Sequence, residues 1–390
     1  MKLVLFSVVA IYFACTVSSA RPQNVMCYFT SWSVYKPGNG IYNVSNVPAD
    51  LCTHIYYSFV GLNDDGTVNI LDTWEAFGLR QLLHLRRLRH KNKDLKLIVS
   101  MGGWNEGSET YSRVSGDPAL RKTMISSVIS FLKEKRFDGF DLDWEYPAQR
   151  GGAKADVDNF VTLLGELNQA LKAEEEKYLL TVAVSGGVLS ADISYDYKKL
   201  AEVVDYINVM AYDYHGDWET YTGHYAPLHA SHLDTGDNAL LNVETGFGHW
   251  IKKGVPPSKL NLGIGTYGRT FTLQDPSNQG LYAPVTGAGK ETEYSQEAGI
   301  IGFNELCEFY PNAFKDAVYD EEQMVPHVVV DGNQWIGYDD VSSVTKKSIY
   351  ARDIGAAGVM IWSLDTDDYL NKCGQGEYPL INAMKQAWNQ

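Results

Sequence analysis

The chain has 390 residues, 45% hydrophobic and 21% charged, with a formal net charge of −15. That composition is one of a globular protein with a large core and excludes extensive disorder, while the negative sign disfavours nucleic acid and anionic membranes as partners and suits neutral ligands such as sugars. Length alone fits two or three average domains, or a single α/β barrel, a fold that routinely exceeds about 200 residues as one unit.

In chain order, Met1–Ala20 reads as a secretory signal: Lys2, an apolar run from Leu3 to Cys15, then small residues with Ser18 and Ala20 at the cleavage positions. That run is too short to span a bilayer, and no other stretch reaches about 18 apolar residues, so residues 21–390 are expected as an extracellular protein free in solution. Cys15 leaves with the signal, and Cys27, Cys52, Cys307 and Cys373 remain. An even number in an oxidising compartment suggests two disulfides, with three pairings open. Asn43-Val-Ser45 is the one glycosylation sequon, ahead of Val47-Pro48, and is expected at the surface.

Short apolar, β-rich runs recur at Val25–Phe29, His54–Phe59, Leu97–Met101, Gly139–Trp144, Leu179–Val184, Tyr206–Met210, Asn261–Gly265 and Gly358–Trp362. Polar or helical stretches separate them, and eight strands alternating with helices predict a closed (β/α)8 barrel rather than an open sheet. Asp117-Pro118 is a helix start, with Asp as N-cap and Pro at the first helical position, ahead of Val128, Phe131 and Leu132. A second amphipathic helix runs from Asp158 through Val161, Leu164, Leu167 and Leu171. The basic run Arg86–Lys93, on a helix after Leu79, reads as a solvated face. Between the seventh and eighth strands, Phe271–Trp335 is rich in Gly, Pro, Tyr and polar turns, which predicts a small α+β insertion at about 268–337. Such additions ride on the C-terminal face of a barrel and wall its cleft. No repeat or second Cys-rich module is evident, and no separate carbohydrate-binding domain is expected.

The stretch with chemistry in it is Phe137–Pro147, FDGFDLDWEYP. Phe140, Leu142 and Trp144 alternate with Asp141, Asp143 and Glu145, so a β-strand puts the apolar set in one layer and the acids in the other, repeating every ~6.6 Å. Like charges so close do not all ionise; repulsion and burial raise at least one pKa toward neutrality, as a proton donor requires. Glu145, at the C-terminal end, is the natural donor. A calcium loop needs Gly and polar spacers where this stretch has bulky strand formers. Trp32, Trp104, Trp218 and Trp362 fall at or just beyond strand ends, and Trp74 on a loop after the second strand, where aromatic faces would line a sugar cleft with Trp362 as its floor. Two other patterns are set aside. Gly263–Gly268, GIGTYG, leads into a strand rather than a helix N-terminus, so no dinucleotide site is expected. His215, His224, His229 and His232 show no helical i, i+4 pair and are assigned to a polar loop; no metal and no cofactor is expected.

The acidic stretch resembles the D-x-x-D-x-D-x-E signature of the family 18 glycoside hydrolases, the chitinases and chitinase-like lectins, with Asp138, Asp141, Asp143 and Glu145 in place. CYFTSW, SMGGW at 100–104, MAYDYHG at 210–216 and MIWSLD at 360–365 are similar to the family's other barrel motifs, in the same order. The resemblance implies a substrate-assisted, retaining hydrolysis of β-1,4-linked N-acetylglucosamine polymers. Glu145 would protonate the glycosidic oxygen, Asp143 would hold the acetamido N–H and turn between it and Asp141, and Tyr212 would bind the acetamido oxygen in a pocket shaped by Asp213 and Met210. Tyr267, Arg269 and Glu297 match sugar-binding positions, with an Arg269–Glu297 salt bridge as the alternative reading; Asp138 would be structural. The family favours Cys27–Cys52 and Cys307–Cys373. It also implies chitin and chitooligosaccharides as partners of a monomer, with no nucleic acid or membrane. A chitin-binding lectin on the same fold usually loses the acid, and a hydrolase of N-glycan cores would share the acids but not need the long insertion.

Overall fold

The structure, a computed structural model, describes residues 23–388; the expected signal Met1–Ala20, Cys15 included, lies outside the described residues. The strands are β1 (Asn24–Thr30), β2 (His54–Leu62), β3 (Val68–Asn69), β4 (Lys96–Gly102), β5 (Gly139–Asp143), β6 (Leu179–Ser185), β7 (Tyr206–Met210), β8 (Leu260–Gly265), β9 (Tyr267–Leu273), β10 (Val285–Ala288), β11 (Ile300–Gly302), β12 (Val318–Asp320), β13 (Val325–Val330), β14 (Gln334–Tyr338) and β15 (Gly358–Trp362). Parallel pairing runs β1-β15-β8-β7-β6-β5-β4-β2, and β2 pairs back onto β1, so eight strands close a barrel. At the seam Met26 stands opposite Met360 on one side and His54 on the other. All eight predicted runs are barrel strands, although β5 ends at Asp143 and leaves Trp144 just beyond it.

Alternation within each strand sorts its side chains. Phe29, Ile55, Val99, Phe140, Leu142, Val182 and Ile361 point outward into the main core beneath the helices. Met26, Tyr28, Tyr56, Ile98 and Met360 fill the barrel's inside, together with the buried polar Ser100, Asp141, Thr181, Asn208 and Asn261. The helix Pro118–Lys135 starts where its sequence predicts, with Asp117 accepting from Ala119 N and Leu120 N. The helix Asp156–Ala173 buries Phe160, Leu163, Leu164, Leu167 and Leu171, each contributing about 1.5–3 kcal/mol in area terms. Leu167→Ala would cost about 2–5 kcal/mol, because the surrounding side chains close the hole only in part.

Between β8 and β15 a second, antiparallel sheet is inserted in the order β10-β9-β14-β13-β12, with β11 also on β9 and the helix Phe303–Phe309 beside it. Cys307 on that helix is bonded to Cys373 beyond β15, and Cys27 on β1 to Cys52 ahead of β2, the two pairings the family resemblance favours. Asn43 is half-buried rather than at the open surface. Its Oδ1 accepts from Ser45 N and Ser45 Oγ at 2.9 and 2.6 Å, capping a short turn. Among the described residues no helix is long and apolar enough to cross a membrane.

Candidate active site

The site begins with two glycines. Gly102 and Gly103, at the end of β4, have φ of 121° and 86°, and a Cβ on Gly102 would lie 2.1 Å from Asp143 O. Only glycine allows that approach, which lets Gly103 N donate to Asp143 O at 2.9 Å and folds the loop carrying Trp104 over the end of β5.

Asp141 and Asp143 point into the barrel from β5, while Trp144 turns outward and donates its Nε1–H to Ser108 Oγ at 2.9 Å. Asp141 is fully buried and accepts three hydrogen bonds, from Tyr28 (2.9 Å), Ser100 (2.7 Å) and Thr181 (2.6 Å). Burial raises its pKa, and those three donors oppose the rise. Asp143 is also buried, and its Oδ1 has no hydrogen-bond partner. Burial, then the charges of Glu145 and Asp141, push it well above the carboxylate range. Glu145 is half-buried just beyond the end of β5; burial pushes its pKa up to about 7, with Tyr146 and Arg150 opposing the rise and Asp213 adding to it. Three acids of one sequence stretch are thus in three states: one saturated with donors, one with an uncommitted oxygen, and one that holds its proton near neutral pH.

Around them, Tyr212 sits at the end of β7 with its hydroxyl 3.9 Å from Met360 Sδ and its ring 6.1 Å from Tyr267. Gly263 makes room for it, since a Cβ there would meet Val209 O at 2.4 Å and Tyr212 Cε1 at 3.1 Å. Met210, half-buried, packs against the barrel's inner cluster beside Tyr212 and Trp362. Asp213 accepts from Arg269 Nε at 2.8 Å, and Arg269 also reaches Asp217 at 3.6 Å and lies 5.2 Å from the Trp218 ring. Trp362 forms a floor over Tyr28, its ring 5.6 Å away, and packs on Phe59 (5.7 Å) and Trp32 (6.2 Å). Trp32, Trp74, Trp104 and Trp218 are 44–64% exposed, each on a segment that follows the C-terminal end of a barrel strand, so their ring faces are available to a ligand. The Trp32 and Trp74 turns are tethered by Tyr35 O–H donating to Asp72 at 2.6 Å. Trp104 carries the Arg150 guanidinium 3.5 Å from its ring centre, and the same Arg150 donates to the carbonyls of Trp104 and Glu145 at 2.8 and 2.9 Å.

Several expectations need correction. Glu297 is exposed on the turn before β11 and does not pair with Arg269, whose guanidinium is taken by Asp213 and Asp217. Asp138 lies at the other end of β5, bound by Leu97 N and Arg89; Arg89 of the basic run is therefore a partner, not a solvated charge. The four histidines all lie in the loop between β7 and Gly236–Leu240, as expected, but they share no centre and two of them are buried. His215 is buried against Glu219, His224 is buried beside His327 and Trp335, and His229 and His232 pair with Glu244 and Glu322 at the surface. GIGTYG runs from β8 into β9, a strand as expected. Sequence reasoning passed over Tyr28, Ser100, Thr181, Phe59, Arg150 and Asp217. Tyr28 and Ser100 stand at inward positions inside quoted motifs, a usable signal; Thr181, Phe59, Arg150 and Asp217 carry none that distinguishes them from ordinary strand and loop residues.

Comparison with known proteins gives a consistent picture. The profile of the Glycosyl hydrolases family 18 matches residues 24–367. Chitotriosidase-1 of Mus musculus is 37% identical over 371 residues, 94% of this chain and 78% of that protein. The structure of the Ostrinia furnacalis Group IV chitinase superposes with a TM-score of 0.91 at 37% identity, covering 95% of this chain and 100% of the other. Human YKL-39, described as a pseudo-chitinase with retained chitooligosaccharide binding properties, superposes at 0.87 with 35% identity over 95% of this chain and 100% of its own.

Proposed function

The chain belongs to the glycosyl hydrolases of family 18, and from that premise we propose that it is a secreted, endo-acting chitinase that cleaves β-1,4 linkages between N-acetylglucosamine units with retention of configuration. The observation that carries the reading is the trio of carboxyls, above all a Glu145 whose pKa is pushed up to about 7 beside an Asp143 oxygen with no partner. A lectin has no use for an acid held neutral at the groove, because sugar binding needs neither proton donation nor a raised pKa.

In this reading the substrate supplies the nucleophile. Glu145 gives its proton to the glycosidic oxygen, and the acetamido oxygen of the sugar on the non-reducing side closes on the anomeric carbon. The leaving chain departs as an alcohol, and an oxazolinium ion remains. Asp143 Oδ1 accepts the acetamido N–H, and that hydrogen bond steadies the cation as it forms beside the acidic row. The Tyr212 hydroxyl, whose other neighbour is only the weak acceptor Met360 Sδ, binds the acetamido oxygen. Glu145, now a carboxylate, takes a proton from water as that water opens the ring, restoring the acid and giving net retention. Trp362 stacks the sugar on the non-reducing side, and Trp32, Trp74, Trp104 and Trp218 extend the groove both ways, suiting a polymer that enters from the side. Arg269 holds Asp213 in place beside Glu145. The protein works as an extracellular monomer on chitin and chitooligosaccharides, with neither nucleic acid nor membrane as partner.

Similarity to human YKL-39 favours a second reading, a non-catalytic binder of chitin fragments. Incubating the protein with an end-labelled N-acetylglucosamine hexamer separates them. Internal cleavage to a ladder of shorter oligomers with retained configuration supports the chitinase; tight binding with no product leaves the binder; and release only from glycoprotein glycans overturns both.

A further inference from the structure

Asp141 lies deep in the barrel, and no basic side chain pairs with it among the described residues. Behind it runs a line of polar contacts down the barrel axis. Tyr28 O–H donates to Asp141 (2.9 Å), Asn208 Nδ2 to Tyr28 Oη (3.3 Å), Asn261 Nδ2 to Asn208 Oδ1 (3.0 Å), and Asn24 Nδ2 to Asn261 Oδ1 (3.4 Å). All four residues are buried. The order of atoms is not arbitrary. Tyr28 has one proton to give, and an anionic Asp141 takes it, so the phenol oxygen faces Asn208 as an acceptor. Asn208 must then turn its NH2 to Tyr28 and its carbonyl to Asn261, and Asn261 is fixed in the same sense. Every amide dipole has its positive end toward Asp141.

We propose that Asn208, Asn261 and Asn24 form a one-directional hydrogen-bond relay that holds Asp141 as the anion, which makes them positioning residues for the chemistry at Asp143 and Glu145. Chains of hydrogen bonds polarise one another in a low dielectric, so each amide strengthens the bond ahead of it. An Asp141 that stays charged drives any proton shared along the row outward, to Asp143 and Glu145 at the groove. The groups that face Asp141 are Tyr28 from β1, Tyr56 from β2, Asp143 from its own strand, and Tyr212 beyond β7. β4 and β6 present Ser100 and Thr181. None of these is a cation. The donors are what is left to stabilise the charge, and three of them would be apolar in a barrel built for packing alone.

The kinetic part of this inference rests on the chitinase reading, whereas the claim about charge does not. The test is the titration of Asp141 in protein carrying carbon-13 at the aspartate carboxyls, with the Asp141 signal identified by its loss in Asp141→Asn. Asn208→Leu is expected to raise the Asp141 midpoint by about one pH unit, and Asn261→Leu by a smaller part of that. The acid limb of the pH–rate profile for a chitin oligomer should move up in the same order, whereas loss of packing alone lowers the rate at every pH and moves no midpoint. Should Asn208→Leu fail to fold, Asn261→Leu decides by itself. Wild-type midpoints in a folded variant overturn the relay, as does a shift in Asn208→Leu with none in Asn261→Leu. A wild type that cleaves no oligomer overturns the chitinase reading instead, and the carboxyl titration still judges the relay.

Discussion

Replacing Glu145 by Gln should abolish turnover and stabilise the protein, and the second effect has a pH signature. The glutamine keeps the shape and an acceptor oxygen but neither donates an acidic proton nor ionises. Loss of a proton transfer needed in both half-reactions is expected to lower kcat by about 1000-fold or more. The stability change follows from the raised pKa. Folding shifts Glu145 from the ordinary 4.5 to about 7, so the folded state holds the proton more tightly than the unfolded one. Below pH 4.5 both states are protonated and the site carries no penalty. Between 4.5 and 7 the unfolded chain releases its proton first, and stability is lost as pH rises; above 7 the loss is complete. Its size is at most about 3 kcal/mol, the shift of about 2.5 units at 1.36 kcal/mol each. For a chain of this length that is about 4 °C in Tm. Scanning calorimetry of wild type and Glu145→Gln at pH 4 and pH 8 checks it: similar Tm at pH 4, and a higher Tm for the variant at pH 8. A variant that turns over oligomers at a near-normal rate, or that is no more stable than wild type at pH 8, would refute the reasoning.

Other perturbations test neighbouring parts. Arg150→Ala removes a positive charge that opposes the rise in the Glu145 pKa, so the alkaline limb of kcat/KM should move to higher pH, while the loss of the guanidinium from the Trp104 ring weakens oligomer binding; a pH–rate profile with binding followed by Trp fluorescence reads both. Lys347 and Asp339 form an ion pair with 1% and 0% of their side chains exposed, and Tyr225 O–H also donates to Asp339 at 2.6 Å. Lys347→Met leaves that carboxylate unpaired and should cost about 3–5 kcal/mol in urea unfolding, whereas the double change Lys347→Met, Asp339→Leu should recover most of it. Replacing Cys307 and Cys373, separated by 66 positions, frees a long loop in the unfolded chain; the chain-entropy estimate is a loss of about 4 kcal/mol, measured by denaturant unfolding with the other disulfide intact.

How much of this was legible beforehand depends on which force set each feature. Strand positions follow from alternation and β-branched content, forces local to the sequence, and all eight barrel strands were read from them. Asp141 and Asp143 facing inward follows from the same period of two. What pairs across the fold is a different matter. Arg269 chose Asp213 and Asp217 over Glu297, and nothing in the spacing of those residues orders the three carboxylates, because the choice depends on how β9 sits against the end of β7. Thr181 is the plainest case. As a threonine in a strand it is ordinary, and it becomes a partner of Asp141 only because β6 lies beside β5 in register, Asp141 opposite Thr181. His215 and His224 lie in the loop after β7 as expected, but nothing local says that they are buried, His224 against His327 and Trp335 of the inserted sheet. Motifs supplied residue identities, and the barrel's register supplied their partners.

The arrangement also explains why the proposed chemistry needs a barrel rather than the acidic strand alone. In water, carboxyls two residues apart are screened and titrate near their ordinary values, and none remains a proton donor at neutral pH. Enclosed by eight strands, the same row loses its solvent, and the donors available to each acid decide its state. Asp141 has three and Asp143 Oδ1 none, so the innermost acid is the one best supplied with donors for its anion, while burial raises the proton affinity of both Asp143 and Glu145 beyond it. Burying that row is destabilising, and the surrounding packing must offset it. The outer core does so with side chains from the same strand, Phe140 and Leu142, together with Trp144 just past its end, all at most 1% exposed. The alternation that creates the acid therefore also supplies, on the strand's other face, part of the apolar burial that lets the fold carry it.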